Sequence, residues 1–327
     1  MMLLRQTANR SFPSALFICH TLVLGALLLG AGCAAVPAPE DAKAATPIAA
    51  QDRFADVTIK TTEIAPGIYM LEGAGGNIGL STGSDGAFII DDQFAPLSAR
   101  ILTAIGAVTD APLSFLLNTH WHGDHAGGNE NFANAGAMIV AHDNVRKRLK
   151  EGRPEGNRPI PPAPAAALPV VTFSDTISFY WNDHDIHIIH PETAHTDGDA
   201  IVFFKDANVV HMGDVFFNGG YPFIDLASGG DLNGYIAAHN KVLAIIDDSI
   251  KIIPGHGPLA SRDDLIRTRD MLVMVRERIQ ASIDAGLDEE AVLAAAPLKD
   301  LSAVWGQGFI KDAFMTRTAY RSLTREQ

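Results

Sequence analysis

The chain has 327 residues, 47% apolar and 19% charged, and its 38 Asp and Glu outnumber its 25 Lys and Arg to leave a formal charge of −13. That apolar fraction excludes an intrinsically disordered chain, and an acidic chain without a long Lys/Arg run excludes a duplex-binding surface, so no nucleic-acid partner is expected. The two cysteines, Cys19 and Cys33, lie near the N-terminus, so everything beyond Cys33 works without disulfides, a cysteine nucleophile, thiolate ligands or an iron-sulfur cluster.

Residues 1–33 read as an export signal, with Arg5 and Arg10 as the basic start and Ala15 to Gly32 as an apolar run ending in small residues. The run is too short and too rich in Ala and Gly for a spanning helix. Leu29 to Cys33 resemble a bacterial lipoprotein cleavage box, in which Cys33 becomes the lipidated first residue and supplies a lipid anchor; ordinary cleaved secretion and a retained anchor are the alternatives. The expected location is the periplasm or the outer membrane, and loss of Arg5 and Arg10 on cleavage leaves 23 cations against 38 carboxylates. Residues 34–55, rich in Ala and Pro, read as a flexible linker, and residues 56–327 as one domain with a helical C-terminal segment.

Strands are predicted at Val57 to Glu63, Gly67 to Leu71, Asn77 to Ser81 and Ala87 to Ile90, between the Pro66-Gly67, Gly75-Gly76 and Asp85-Gly86 turn signals. A helix follows over Pro96 to Val108, then a buried strand at Leu113 to Leu117 and a loop from Asn118. The Pro-rich stretch Pro154 to Pro169 reads as a surface loop. Beyond it, strands are predicted at Val170 to Phe173, Thr176 to Trp181, Asp185 to Ile189, Ala200 to Phe204 and Asn208 to His211. Helices are predicted at Leu232 to Ile246 and Arg262 to Ala285, where Leu265, Leu272, Val275, Ile279 and Ile283 share one face. Strands followed by helices, twice over, imply an α/β protein of two packed sheets covered outside by helices.

The segment His120-Trp121-His122-Gly123-Asp124-His125 places three imidazoles and a carboxylate within six positions directly after an apolar strand. In extended backbone His120 and His122 project to the same side and Trp121 to the other, so one cation can take both histidines. Asp124 and His125 come where the chain turns and can face a second cation. Imidazole and carboxylate donors suit zinc, and also manganese or iron. Three more candidates follow strands: His195 in Thr193-Ala194-His195-Thr196-Asp197-Gly198, Asp214 in His211-Met212-Gly213-Asp214, and His256 in Pro254-Gly255-His256-Gly257-Pro258.

In this order, these stretches resemble the metallo-β-lactamase superfamily over about Val57 to Pro258. The resemblance implies a four-layer αβ/βα sandwich with a dinuclear metal site at one edge. It implies that His120, His122 and His195 bind one zinc, that Asp124, His125 and His256 bind the other, that Asp214 bridges both, and that Asp91 supports the ligand loop. A hydroxide held between the metals then attacks the substrate carbonyl, and Asp124 orients that hydroxide or takes part in its proton transfer. Asp214 stands where the best-known antibiotic-degrading class has cysteine, and Phe217 where that class often has lysine. An oxygen bridge is the pattern of superfamily members acting on esters, thioesters, lactones and phosphodiesters.

Phe216, Phe217, Tyr221 and Phe223 follow the bridging aspartate and are expected either to form an apolar substrate wall or to pack in the core. His142, His184, His187, His190, His211 and His239 read as surface or structural residues, and Trp305 to Phe314 as a segment that covers the site or joins subunits. The expected function is an exported dinuclear zinc hydrolase opening a cyclic amide or ester of a small-molecule substrate, with β-lactams hydrolysed weakly. The alternatives are a lactonase or thioesterase of the same fold and an iron-dependent oxidoreductase.

Overall fold

The computed structural model describes residues 53–153 and 159–325. The export signal, Cys33, most of the linker and Pro154 lie outside the described residues. The described residues begin inside the stretch read as linker: Phe54 is buried against Phe94, ring centroids 5.2 Å apart, with the Arg53 guanidinium over both rings.

The chain builds β1 (Lys60–Ala65), β2 (Ile68–Glu72), β3 (Ile78–Ser81), β4 (Ala87–Ile90), α1 (Ser98–Gly106), β5 (Leu113–Leu117), α2 (Gly123–Ala126), α3 (Asn129–Asn134), β6 (Met138–His142), α4 (Asp143–Glu151) and β7 (Val171–Phe173). It continues with β8 (Thr176–Trp181), β9 (His184–Ile189), β10 (Ile201–Phe204), β11 (Val209–Phe217), α5 (Leu232–Leu243), β12 (Lys251–His256), α6 (Arg262–Asp284), α7 (Glu289–Ala295), α8 (Ser302–Trp305) and α9 (Asp312–Thr324). Among the described residues, β1 to β7 form a sheet in sequential order, and β12-β11-β10-β9-β8 form a second. The first sheet is antiparallel from β1 to β4 and parallel from β4 to β7. In the second, only β11 and β12 run parallel.

Three apolar clusters separate four layers, as the αβ/βα reading requires. Leu71, Leu80, Ile89 and Leu116 pack against Leu97, Ile101 and Ile105 of the α1 region. Phe88, Ile90, Leu117 and Val140 meet Ile186, Ile188, Val202 and Phe204 between the sheets. Ile201, Val210 and Met212 meet Tyr235, Leu265, Leu272, Val275 and Met315 beneath the second helical layer. Alternation accounts for this: Leu80 and Ile89 point to one face, Phe88 and Ile90 to the other. The capping box at Ser261 and Asp264 starts α6, its longest helix.

Two segments differ from the sequence reading. Between the loop expected to begin at Asn118 and the Pro-rich stretch, where no element was expected, the chain forms α2, α3, β6 and α4. The strand expected to stop at His211 runs on to Phe217. Gly213, at φ +50°, breaks the residue-by-residue alternation, and the register with β12 shifts on either side of it. Asp214 therefore sits within a strand and not after one.

Candidate metal centre

The candidate residues come from the segments that follow β4 and β5, from the β9–β10 loop, from the second half of β11 and from the end of β12. Asp91 follows β4 in the left-handed region, φ +63°, a conformation that needs outside support in a non-glycine residue. That support is visible. Its carboxylate accepts hydrogen bonds from the Thr119 amide and hydroxyl and from His125 Nδ1, all at 2.7 Å. Beyond β5 the chain bends through Thr119 to Trp121 instead of staying extended, and is extended again at His122; His120 and His122 nevertheless lie side by side, ring centroids 4.8 Å apart. Trp121 points away into a small cluster with Ala141 and Val145. The short helix α2 then swings His125 back toward His120, 4.2 Å between rings.

His195 lies in the loop between β9 and β10. Asp199 holds that loop by accepting from the amides of His195 and Thr196 at 2.7 and 2.9 Å. Asp214 is fixed from behind by Tyr235, whose hydroxyl donates to its carbonyl at 2.7 Å. Two glycines make room: a Cβ on Gly76 would stand 2.0 Å from His125 Cε1, and one on Gly255 would stand 2.1 Å from Asp214 Oδ1.

Two donor groups result, His120, His122, His195 and Asp214 in one and Asp124, His125 and His256 in the other, each with its donor atoms within 4.8 Å of one another. Asp214 joins them. Its Oδ2 is 3.5 Å from His195 Nε2 and 3.7 Å from His120 Nε2, while its Oδ1 is 3.0 Å from His125 Nε2 and 3.3 Å from His256 Nε2. His256 Nε2 also lies 3.4 Å from Asp124 Oδ2.

The outward nitrogens settle the tautomers. His125 Nδ1 donates to Asp91, His195 Nδ1 donates to the Phe223 carbonyl at 2.7 Å, and His122 Nε2 donates to Asp225 Oδ2 at 2.9 Å. Since Thr119 gives its hydroxyl hydrogen to Asp91, His120 Nδ1 donates to Thr119 Oγ1 at 3.1 Å. With the outward nitrogen carrying the proton, these four imidazoles would each turn a lone pair inward once any second proton has left, His122 through Nδ1 and the others through Nε2, the arrangement of histidines that bind metal.

Electrostatics point the same way. Burial lowers His120 well below the usual histidine range and brings His195 down to about 4, so both are neutral. Burial opposes the charge of Asp214, but His125, His256, His195 and His120 outweigh it and hold the carboxyl well below its ordinary value. For Asp124 burial is likewise overcome, chiefly by His125, and its pKa falls to about 2. Burial disfavours the charge on His256, yet Asp214 and Asp124 raise it to about 9, and Asp214, Asp91 and Asp124 raise His125 well above its ordinary value. A buried carboxylate oxygen, Asp214 Oδ1, has no hydrogen-bond partner. Inward lone pairs around an unsatisfied anionic oxygen fit a cation, and this is a divalent-metal site.

A cleft of about 480 Å³ opens over it, lined by Gly75, His122, Gly123, Asp124, Arg153, Asp214, Phe223, Asp225, His256 and Phe309. The structure thus brings together all seven predicted ligands, with Asp91 behind them. It divides the aromatics. Phe223 lines the cleft, and Phe217 stacks on His256 at 4.8 Å. Phe216 is buried against His239 of α5 and Tyr221 is buried beside Trp305, so these two take the core-packing alternative and not the wall. Inside a strand, successive side chains take opposite faces, which separates Phe216 from Phe217. Asp225, Asp199 and Arg153 escaped the sequence reading. No metal-ligand spacing marks them, and Asp225 meets His122 only through the fold.

A family model described as the metallo-beta-lactamase superfamily matches residues 71–257. The chain belongs to that superfamily, and it is a metal-dependent hydrolase. It is 28% identical over 152 residues to a probable metallo-hydrolase, YqgX, of Bacillus subtilis, covering 45% of this chain and 69% of that one. It is 28% identical over 164 residues to a hydroxyacylglutathione hydrolase of Nitrosococcus oceani, covering 49% of this chain and only 55% of that enzyme's length. A solved metallo-beta-lactamase from Pontibacter korlensis superposes with a TM-score of 0.57 at 19% identity, covering 66% of this chain and 99% of that one, a likeness of fold.

Proposed function

We propose that the protein is an exported dinuclear zinc hydrolase of carboxylic acyl bonds, cleaving a thioester or ester or opening a lactone, with β-lactams as slower substrates. The observation that carries this reading is the division of Asp214, Oδ1 toward His125 and His256 and Oδ2 toward His120 and His195. One carboxylate facing two sets of imidazole donors suits a pair of ions a few ångströms apart. When bound, such a pair supplies a Lewis acid for a carbonyl oxygen and a water whose pKa falls from about 15.7 toward 7.

The remaining work falls to the chain. Asp91, Asp225 and Thr119 fix the histidine rings, so little reorganisation accompanies substrate binding. Asp124 is ionised at neutral pH and faces the cleft, where its carboxylate can accept a hydrogen bond from the attacking water or receive its proton. Phe223 and Phe309 offer an apolar surface to the acyl or leaving group. The preference for thioesters over lactams rests on the carboxylate at position 214 and on the relative named as a hydroxyacylglutathione hydrolase.

The test is a panel of a glutathione thioester, homoserine lactones, a carbapenem and a chromogenic cephalosporin, run on zinc-loaded protein. Faster turnover of the thioester or lactones than of the cephalosporin is expected. Cephalosporin turnover alone would overturn the order, and oxygen consumption by an iron-loaded form would favour oxidoreductase chemistry.

A further inference from the structure

The rim of the cleft is chemically lopsided. Residues 143–153 carry five cations against two carboxylates, in a chain whose net charge is −13. Most of these cations are occupied or remote from the site. Arg148 is spent in a two-pronged pair with Asp197 at 2.7 and 2.6 Å, and Arg146 donates to the Pro169 carbonyl. Arg153 differs because it lines the cleft together with Asp214 and His256. It pairs with Asp225 at 3.7 Å, a carboxylate already engaged by His122 at 2.9 Å and Ser228 at 2.7 Å. Its backbone is clamped to Ile160 by two hydrogen bonds of 2.7 and 2.8 Å, and its guanidinium sits 5.7 Å from the Trp121 ring centroid. A guanidinium carries five N–H donors, so an anchored arginine at the mouth keeps most of its capacity for an incoming anion. Phe309, whose side chain is 70% exposed, and Phe223 line the same cleft.

We propose that Arg153 is a specificity determinant that receives a carboxylate of the substrate, so that the preferred substrates are acyl compounds carrying both an anionic group and an apolar group. The inference rests on the acyl-hydrolase reading. Of the three carboxylates lining the cleft, Asp124 and Asp214 belong to the metal centre, and Asp225, beside Arg153, remains to oppose an anionic substrate. Arg153 offsets that repulsion, and its planar fork matches a carboxylate in a two-pronged geometry. A merely structural Arg153 would instead screen Asp225 and act on every substrate alike.

The test uses the zinc-loaded full chain with S-phenylacetyl thioglycolate and its methyl ester, which differ by one charge. The preference, measured as the ratio of their kcat/KM values, should fall about 10- to 100-fold in Arg153→Ala and be largely retained in Arg153→Lys. An unchanged ratio, or an equal loss on both substrates, overturns the proposal. Binding of N-phenylacetylglycine and its methyl ester, followed by calorimetry, reads the same contact without turnover. Should the wild type cleave neither thioester, the thioesterase reading fails. Selective weakening of the acid by Arg153→Ala would then still support Arg153, and equal affinities in the two proteins would refute it.

Discussion

Asp225 reaches across 103 positions of sequence to hold His122, its Oδ2 2.9 Å from Nε2. It is anchored in turn by the Ala227 and Ser228 amides and by the Ser228 hydroxyl, which also accepts from Trp121 Nε1 at 3.2 Å. His122 thereby presents Nδ1 to the metal where its neighbours present Nε2, a choice made by a residue that touches no metal. Asp225→Asn keeps the local shape and loses the charge. Zinc affinity should drop about 10- to 100-fold, measured by competition with a chelator, with the fold intact by circular dichroism. Unaltered affinity would remove Asp225 from the account.

Gly76 tests the second donor group. A methyl at this position would overlap the buried His125 ring, 2.0 Å from Cε1, and the ring is pinned on its other side by Asp91. Gly76→Ala should leave the His120, His122 and His195 group able to hold one ion and disable the other. Bound zinc should fall from two to one per chain, and two retained ions would contradict the geometry.

Protons must leave before zinc binds. With its pKa raised to about 9 by Asp214 and Asp124, His256 of the metal-free chain is protonated at pH 7, and His125 is raised as well. Loading at pH 7 should therefore release one proton or more, read by calorimetry in buffers of different ionisation enthalpy. The sign for stability is set by the same shift. The folded pKa of His256 lies above the unfolded value of about 6.5, so its contribution is full below that pH and is lost as pH rises through about 9. The melting temperature of metal-free protein should fall across that window. Zinc uptake without proton release would show that His256 is already neutral.

The aromatic pair Phe216 and Phe223 separates packing from recognition. Phe216 is fully buried against α5, so Phe216→Ala should cost about 3 to 5 kcal/mol of stability. Phe223 is half-buried at the cleft, so Phe223→Ala should act mainly on KM. Urea titration and steady-state kinetics on the two variants check this, and a reversed pattern would place Phe216 at the substrate.

Much of this was legible in sequence because the period-2 pattern and the ligand motif are both local. The strands at Ala87–Ile90, Leu113–Leu117 and Thr176–Trp181 have the ends read for them. The motif at 120–125 shows its ligand types within six positions, although the chain bends through 119–121 where an extended run was expected. What stayed hidden was non-local or masked by a local irregularity. The continuous apolar run at Met138–His142 is short enough to pass for loop beside a ligand motif. Gly213 and the charge of Asp214 disguised the second half of β11. Asp225, Asp199 and Arg153 have roles only because the fold brings distant turns to one cleft.

The central claim is that two ions share Asp214. Elemental analysis of zinc-saturated, dialysed protein tests it most directly. Two zinc ions per wild-type chain and one or none in Asp214→Ala are expected. A single ion per wild-type chain, or two retained in Asp214→Ala, would contradict it.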